Sequence, residues 1–434
     1  MIIVIYSETF KGTVEKRLGE PEYSYYFVLK EFRPVLERLG IVVAIGDPEH
    51  EVDAIRRNAA AYGEDCVFLS FTPPHQTPIG LDCPTVPLFA WEFDTLPSEV
   101  WNGDARNDWR TTFKALGRAI THSEFTVRTV KSVMGEDFPI VSIPAPVWDR
   151  FDAIYRKIPP RPVCPGVDIS VIGTVLDTRS PDYDPESREL PPAATKDDPA
   201  RISLDGVVYL SIFNPRDGRK NWHDMLCAFG LVFRDVPDAT LVLKLTFSDR
   251  DKAFEYMLET IYRLAPFKCR IVVIHGYLDD ANYEQLVGAA SYAVNTSAGE
   301  GQCLPLMESM SAGKPAVAPW NTALVDYLSA ENSFPVATSL EPWWWPHDPR
   351  MAYRTKRHRL DFDSLMRAYR ASFDVAKNDP ERYARMAIVA NTALKAHCSE
   401  AVVEERLRSF LDIPATPARR PIRQKAPARS SSSL

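Results

Sequence analysis

The sequence predicts an α/β protein made of two doubly wound, parallel-sheet domains that face each other across a cleft. Short apolar runs of strand length alternate with helical stretches over residues 1–160, and the same alternation returns over residues 202–375. Between the two series, residues 161–201 are rich in proline and charge (RSPDYDPESRELPPAATKDDPAR) and read as a linker or mobile insertion. At 434 residues the chain also exceeds one ordinary domain, for which ~150 residues is a working prior.

The first series opens with MIIVIYS at residues 1–7, apolar but short and followed at once by Glu8 and Lys11, which suits a buried strand better than a secretory leader. Residues 23–39 have helical periodicity. The aromatics Tyr23, Tyr25, Tyr26, Phe27 and Phe32 on that stretch read as domain packing, with contact to a lipid-linked acceptor as the alternative. IVVAIG (41–46), CVFLSF (66–71), VPLFAW (86–91), RAITHS (118–123) and residues 140–143 read as strands, and Ser123 is placed to cap a helix over 124–133.

The second series runs VVYLSIF (207–213), helix 222–233, TLVLKL (240–245), helix 252–264, RIVVIH (270–275), helix 280–290, SYAVN (291–295), helix 305–312 and PAVAP (315–319). Strands that are apolar almost throughout suit a parallel sheet covered on both faces. Residues 376–412 form a helical return segment expected to cross back onto the first domain, with Asp379 as cap and Pro380 in the first turn. Residues 413–434 are basic and serine-rich and read as a disordered tail, a tether to an acidic surface being the alternative.

Composition narrows the class. Apolar residues at 45% and charged residues at 25% are the balance of a globular enzyme, and a formal charge of -7 argues against whole-surface attraction to nucleic acid. Seven cysteines, scattered and without CxxC spacing, imply a reducing compartment and no structural zinc. No apolar run approaches a membrane span, so the expected location is cytoplasmic, with any membrane contact peripheral and at the inner face.

Chemistry concentrates in NTSAGEGQCLPLMESMSAGKPAVAP, residues 295–319. Pro305 falls where a helix begins and Gly313 where it ends, while Ala298, Gly299 and Gly301 let backbone amides approach a ligand. A helix N-terminus after such a turn favours an anion and suits a diphosphate. Glu300 and Glu308, with seven residues between them, can both face the cleft and accept hydrogen bonds from sugar and ribose hydroxyls.

EGQCLPLMESMSAGKPAVAP resembles the E-x7-E signature of the family 4 retaining glycosyltransferases, which have the GT-B architecture. The resemblance implies that Glu300 contacts the donor hexose, that the amides of Gly301, Gln302, Cys303 and Leu304 hold sugar and phosphate, and that Glu308 binds the ribose. SIFNPRDGRKNWHDMLCAF (211–229) is similar to the family's diphosphate turn. It assigns Lys220, with Asn221 beside it, and Arg216 to the diphosphate, Arg219 being the alternative arginine. Gly276 and Tyr277, in the loop after RIVVIH, fall where the family holds the nucleobase.

On the acceptor side PLFAWEFDTLPSEVW is similar to a variant in which an aromatic and a glutamate end a strand. Trp91 and Glu92 then lie at the cleft edge, where Glu92 orients or deprotonates an acceptor hydroxyl or makes a structural salt bridge. His75 is the rival acceptor residue. Trp343, Trp344 and Trp345 read as core packing, with sugar rings or the opposite domain as the other partners.

No metal ligand cluster accompanies these motifs, so no metal and no cofactor are expected beyond a nucleoside-diphosphate sugar as donor and a glycan or glycolipid as acceptor. The rival functions are a nucleotide-sugar epimerase or hydrolase on the same fold, and a non-catalytic carbohydrate- or nucleotide-binding scaffold.

Overall fold

The structure is a computed structural model that describes residues 1–8, 23–187 and 189–413. The first domain runs β1 (Ile2–Tyr6), α1 (Tyr23–Leu39), β2 (Ile41–Ala44), α2 (Pro48–Ala61), β3 (Cys66–Ser70), β4 (Thr85–Phe89), α3 (Trp109–Leu116), β5 (Ala119–Thr121), α4 (Glu124–Met134), β6 (Ile140–Ser142) and α5 (Trp148–Lys157). Its six strands lie in the order β2-β1-β3-β4-β5-β6, every neighbour pair parallel. The α1 helix buries Tyr25, Val28, Phe32, Val35, Leu36 and Leu39, a stripe spaced by three and four, so at least two of its aromatics serve packing. Ser123 caps α4 as expected, its Oγ accepting from the Thr126 amide at 3.2 Å.

The second domain runs β7 (Cys164–Asp177), β8 (Ala200–Phe213), α6 (Trp222–Val232), β9 (Ala239–Leu245), α7 (Arg250–Leu264), β10 (Arg270–Tyr277), α8 (Asp280–Ala289), β11 (Tyr292–Val294), α9 (Leu304–Ser311), β12 (Ala316–Pro319), β13 (Ser333–Val336), β14 (Thr338–Trp344), β15 (Tyr353–Leu360) and α10 (Phe362–Asn378). Its parallel strands pair β8 with β9 and β11, β9 with β10, and β11 with β12, which pairs with β13. The order therefore reverses between β8 and β11. In open α/β sheets such a reversal opens a crevice at the carboxyl ends of the two strands, where ligands bind.

Residues 161–201 are not a featureless linker. β7 fills much of this stretch and pairs antiparallel with β8 in its first half and with β10 in its second. Its inward residues, among them Ile169, Val171 and Leu176, alternate with exposed ones and are interrupted by a bulge between Pro165 and Val167, so the apolar signal is diluted. The return segment is two helices, α11 (Pro380–Cys398) and α12 (Glu400–Phe410), broken at Ser399. It does cross back: Arg38 of α1 pairs with Glu400 at 2.7 Å and Glu404 at 2.8 Å, and Arg406 donates to the Ser142 carbonyl at 3.2 Å. The expected tail, apart from Ile413, lies outside the described residues.

One apolar cluster joins the domains, running from Phe32 and Trp91 through Trp148 and Phe151 to Leu306, Met307 and Met310. A second fills the far face of the β8 sheet around Tyr209, Phe229 and Tyr369. The β14–β15 hairpin, which the sequence did not announce, ties the second domain to the loop after β4. Thr355 Oγ1 and the Lys356 amide donate to Asp94, Thr95 Oγ1 donates to the Arg354 carbonyl, and Trp345 Nε1 donates to Thr95 Oγ1. Of the three tryptophans, Trp345 thus packs on the opposite domain, while Trp343 stacks on Trp344 at 3.7 Å with Arg357 over its other face. Among the described residues no helix is long and apolar enough to cross a membrane.

Candidate functional site

The loops after β8 and β11 meet at the strand-order reversal and are stitched together there. Thr296 Oγ1 donates to the Lys220 carbonyl at 2.8 Å, and the Ala298 amide to the Arg219 carbonyl at 2.7 Å. Three non-glycine residues in the left-handed region lie at this junction: Asn221 (φ 47°), Cys303 (φ 64°) and Thr322 (φ 46°). A β-branched residue at positive φ is strained, and such strain gathers where a surrounding network holds it. Asn221 and Cys303 are the N-caps of α6 and α9, and neither makes a side-chain cap bond, so the positive ends of both helix dipoles lie in the loops that follow β8 and β11 without a side-chain cap.

Lys220 and Glu300 form the centre. Lys220 Nζ lies 2.7 Å from Oε1 and 2.9 Å from Oε2 of Glu300, whose Oε1 also accepts from Asn295 Nδ2 at 3.0 Å and Ser297 Oγ at 2.5 Å. Burial alone would raise the Glu300 pKa, but Lys220, Arg219 and the Ser297 hydroxyl outweigh it and hold the carboxyl below its ordinary value. Burial pulls Lys220 down, and Glu300, with Asp217 and Cys303, pushes it up by more in sum, which keeps it charged.

Arg219, rather than Arg216, is the arginine of this cluster. Its Nε and Nη2 reach Asp217 at 3.1 and 2.8 Å, and its Nη1 pairs with Glu92 of the first domain. Arg216 is exposed on the same turn, because Asp217 caps that turn by accepting from the Arg219 amide and so aims Arg219 inward. Asp217 is raised by burial but held well below the carboxylate range by Arg219 and Lys220. Burial pushes Glu92 above that range, Asp217 and Glu300 adding to the push and Arg219 opposing it.

The glycines of the loop after β11 press on the first domain. A methyl group on Gly301 would lie 2.6 Å from the Ala90 Cβ, and one on Gly299 would lie 3.2 Å from the Glu92 carbonyl. Gln302 is turned away from the crevice, its Oε1 accepting from the Ala145 amide at 3.0 Å across the domain boundary. Trp91, expected at the cleft edge, is buried at 2% exposure between Phe93 and Trp109 and bonds the Thr95 carbonyl. An aromatic ring there serves the core, and only its backbone borders the cleft.

His75 is near the cleft without touching the cluster. Its ring lies over Trp109 at 5.9 Å and beside His347 at 4.7 Å, and burial, with the His347 and Arg106 charges, lowers its pKa to about 3. His347, which the sequence reading missed, is held low by burial and by Arg219. His122 was missed too: it is 1% exposed at the end of β5, donates to the Ile143 carbonyl through Nδ1, and is lowered by burial to about 4. Among the described residues His75 Nδ1, Gln76 Oε1 and His122 Nε2 are buried without a hydrogen-bond partner, all at carboxyl ends of first-domain strands. Such orphaned atoms are rare and mark places where a polar ligand or water belongs.

Glu308 stands apart from the Lys220 cluster. The Tyr283 hydroxyl donates to its carboxylate, and burial, with the Glu31 charge, raises it to about 7. Arg150, which bridges Glu31 at 3.5 Å and Asp280 at 2.8 Å, opposes that rise through its charge. Gly276 and Tyr277 are not in a loop: both are in β10, paired with Gly173 and Ile172 of β7. A methyl on Gly276 would lie 2.1 Å from the Ile172 carbonyl oxygen, so strand approach accounts for the glycine. Among the described residues no group of three or more His, Cys, Asp or Glu could hold a metal ion.

No protein-family model matches the sequence, and no curated protein matches it. Solved structures do match over nearly the whole chain. A glycosyltransferase from Rickettsia africae is 12% identical, with 95% of this chain and 98% of that one covered and a TM-score of 0.54. HepE of Anabaena, solved in complex with UDP, is 12% identical over 95% and 99% of the two chains at 0.54. Sucrose-phosphate synthase from Thermosynechococcus elongatus is 12% identical over 95% and 98% at 0.55. The chain has the two-domain GT-B fold of these glycosyltransferases.

Proposed function

We propose that the protein transfers a hexosyl group from a nucleoside-diphosphate sugar to a hydroxyl of a glycan or glycolipid, with retention at the anomeric carbon. The observation that carries the reading is Lys220 and Arg219 lying side by side at the strand-order reversal, under the N-termini of α6 and α9. Fold alone would leave the chemistry open.

The diphosphate gains charge as the bond from its oxygen to the anomeric carbon breaks. Two fixed cations and two uncapped helix N-termini are preorganised to stabilise that charge. Glu300, fixed by Lys220, Asn295 and Ser297, is the carboxylate for the donor sugar's hydroxyls. The acceptor oxygen attacks the same face of the sugar that the diphosphate leaves, and its proton passes to the departing phosphate oxygen. The ribose falls to Glu308, which requires the Tyr283 hydroxyl to give up or share that carboxylate.

The acceptor binds at the carboxyl ends of β3, β4 and β5. The unpartnered atoms of His75, Gln76 and His122 and the carboxyl of Glu92 support this placement. The test is a thermal-shift titration, with EDTA present, of UDP, GDP, dTDP and ADP, followed by product analysis with sugar acceptors. Binding stabilises the native state by mass action, so a nucleotide of the donor raises the melting temperature. If none of the four does so, the reading fails.

A further inference from the structure

The cleft is charged in an unexpected way. Arg219 and Lys220 face three carboxylates, Asp217, Glu92 and Glu300, so the cluster already carries one negative charge in excess. Asp217 and Glu300 belong to the same domain as the cations and are fixed by backbone or side-chain bonds within it. Glu92 is different, for it comes from the other domain, and among the described residues its carboxylate is hydrogen-bonded to the cluster through Arg219 Nη1.

A nucleoside diphosphate brings at least two more negative charges to these cations. Packing it beside all three carboxylates in a buried site is strongly unfavourable, since like charges at low dielectric repel and each loses hydration. One carboxylate has to give way. Glu92 can do so most cheaply, because burial already disfavours its charged form and, among the described residues, its carboxylate bonds one partner, Arg219.

We propose that Glu92 is a placeholder for the donor's diphosphate: it holds Arg219 before the donor binds, and donor binding hands Arg219 to a phosphate oxygen and frees Glu92 to face the acceptor hydroxyl. The inference rests on the reading of Lys220 and Arg219 as the diphosphate site. It makes the order of binding a consequence of charge, donor first, and it couples occupancy of the second domain to activation of a carboxylate on the first.

The experiment is isothermal titration of the full chain with whichever of UDP, GDP, dTDP and ADP binds wild type, using Glu92→Gln and Asp217→Asn. Glu92→Gln removes the competitor of the phosphate and should tighten binding about tenfold or more, the range of one hydrogen bond to a charged group. Asp217→Asn removes the residue that aims Arg219 and should weaken it. Both substitutions are near isosteric, and a melting curve checks folding.

If Glu92→Gln leaves affinity unchanged or lowers it, the placeholder role is wrong while the diphosphate site stands. If both variants tighten binding equally, only the overall charge matters, and the proposal is again overturned. If wild type binds no nucleotide, the proposed function and this inference fall together.

Discussion

Lys220 Nζ sits 2.7 Å from Glu300 Oε1 and 2.9 Å from Oε2, so a cation from the loop after β8 is held by a carboxylate from the loop after β11. The pair spans the strand-order reversal, and each half is useless to the site without the other.

Lys220→Ala should lower kcat by about 10²–10³, the usual loss when one preorganised charge is removed from a transition state. It should also destabilise the fold, because breaking a buried pair commonly costs about 3–5 kcal/mol. Lys220→Met combined with Glu300→Gln removes both charges and should recover much of the melting temperature while turnover stays low. Recovery of turnover in the double variant would remove the pair from the chemistry.

Arg219→Ala should abolish the thermal-shift response to the donor's nucleotide, whereas Arg216→Ala should keep it. Arg216 is exposed, and surface substitutions of that kind usually change stability by less than about 0.5 kcal/mol. The reverse result, loss of binding in Arg216→Ala alone, would return the assignment to the arginine that the motif first suggests.

The contribution of Glu308 to stability should fall as pH rises from about 4.5 towards about 7, while the buried His75 and His122, held low, contribute a slope of the opposite sign. Glu308 is raised to about 7 in the folded chain from a reference of 4.5. The native state therefore keeps a proton that the unfolded chain releases in this window, and the stabilisation is full below 4.5 and lost as pH climbs through the folded value. Glu300 has the opposite sign: held below its ordinary value, it contributes stability that is present above that value and lost as pH falls through the folded pKa. Urea denaturation between pH 4.5 and 8 should show wild type losing stability relative to Glu308→Gln as pH rises, because the histidine contribution is common to both chains.

Gly301→Ala should open the interface between the domains, since the added carbon meets the Ala90 Cβ at 2.6 Å. Overpacking of this kind costs about 1–3 kcal/mol. Ala90→Gly in the same chain removes the clash and should restore the melting temperature; failure to do so would show that Gly301 is needed for a reason other than space.

The substitution of one arginine for another shows how far local pattern reaches. NPRDGRKN offers two arginines on one polar turn, and nothing in their spacing tells which faces inward. The choice is made by Asp217, which closes the turn through the Arg219 amide and grips the Arg219 guanidinium. A similar limit explains Trp91 and Gly276. Each sits at or just past the end of a strand that the sequence marks clearly, but its role is set by the neighbour packed beside it, Trp109 against the Trp91 ring and β7 against the Gly276 backbone.

What the sequence determined by itself is the alternation: two series of apolar strands and helices, the caps at Ser123 and Asp379, the helix bracketed by Pro305 and Gly313, and the placing of Lys220 and Glu300 in loops that follow strands. These are properties of short segments, and local periodicity and capping chemistry are enough to specify them. Tertiary structure alone decided that β7 is a strand, that β14 and β15 clamp the loop after β4, and that Glu92 meets Arg219. Glu92 and Arg219 are 127 positions apart in the chain. Their pairing is set by the closing of two domains around one apolar cluster, a sum of many weak contacts that no short stretch of sequence contains.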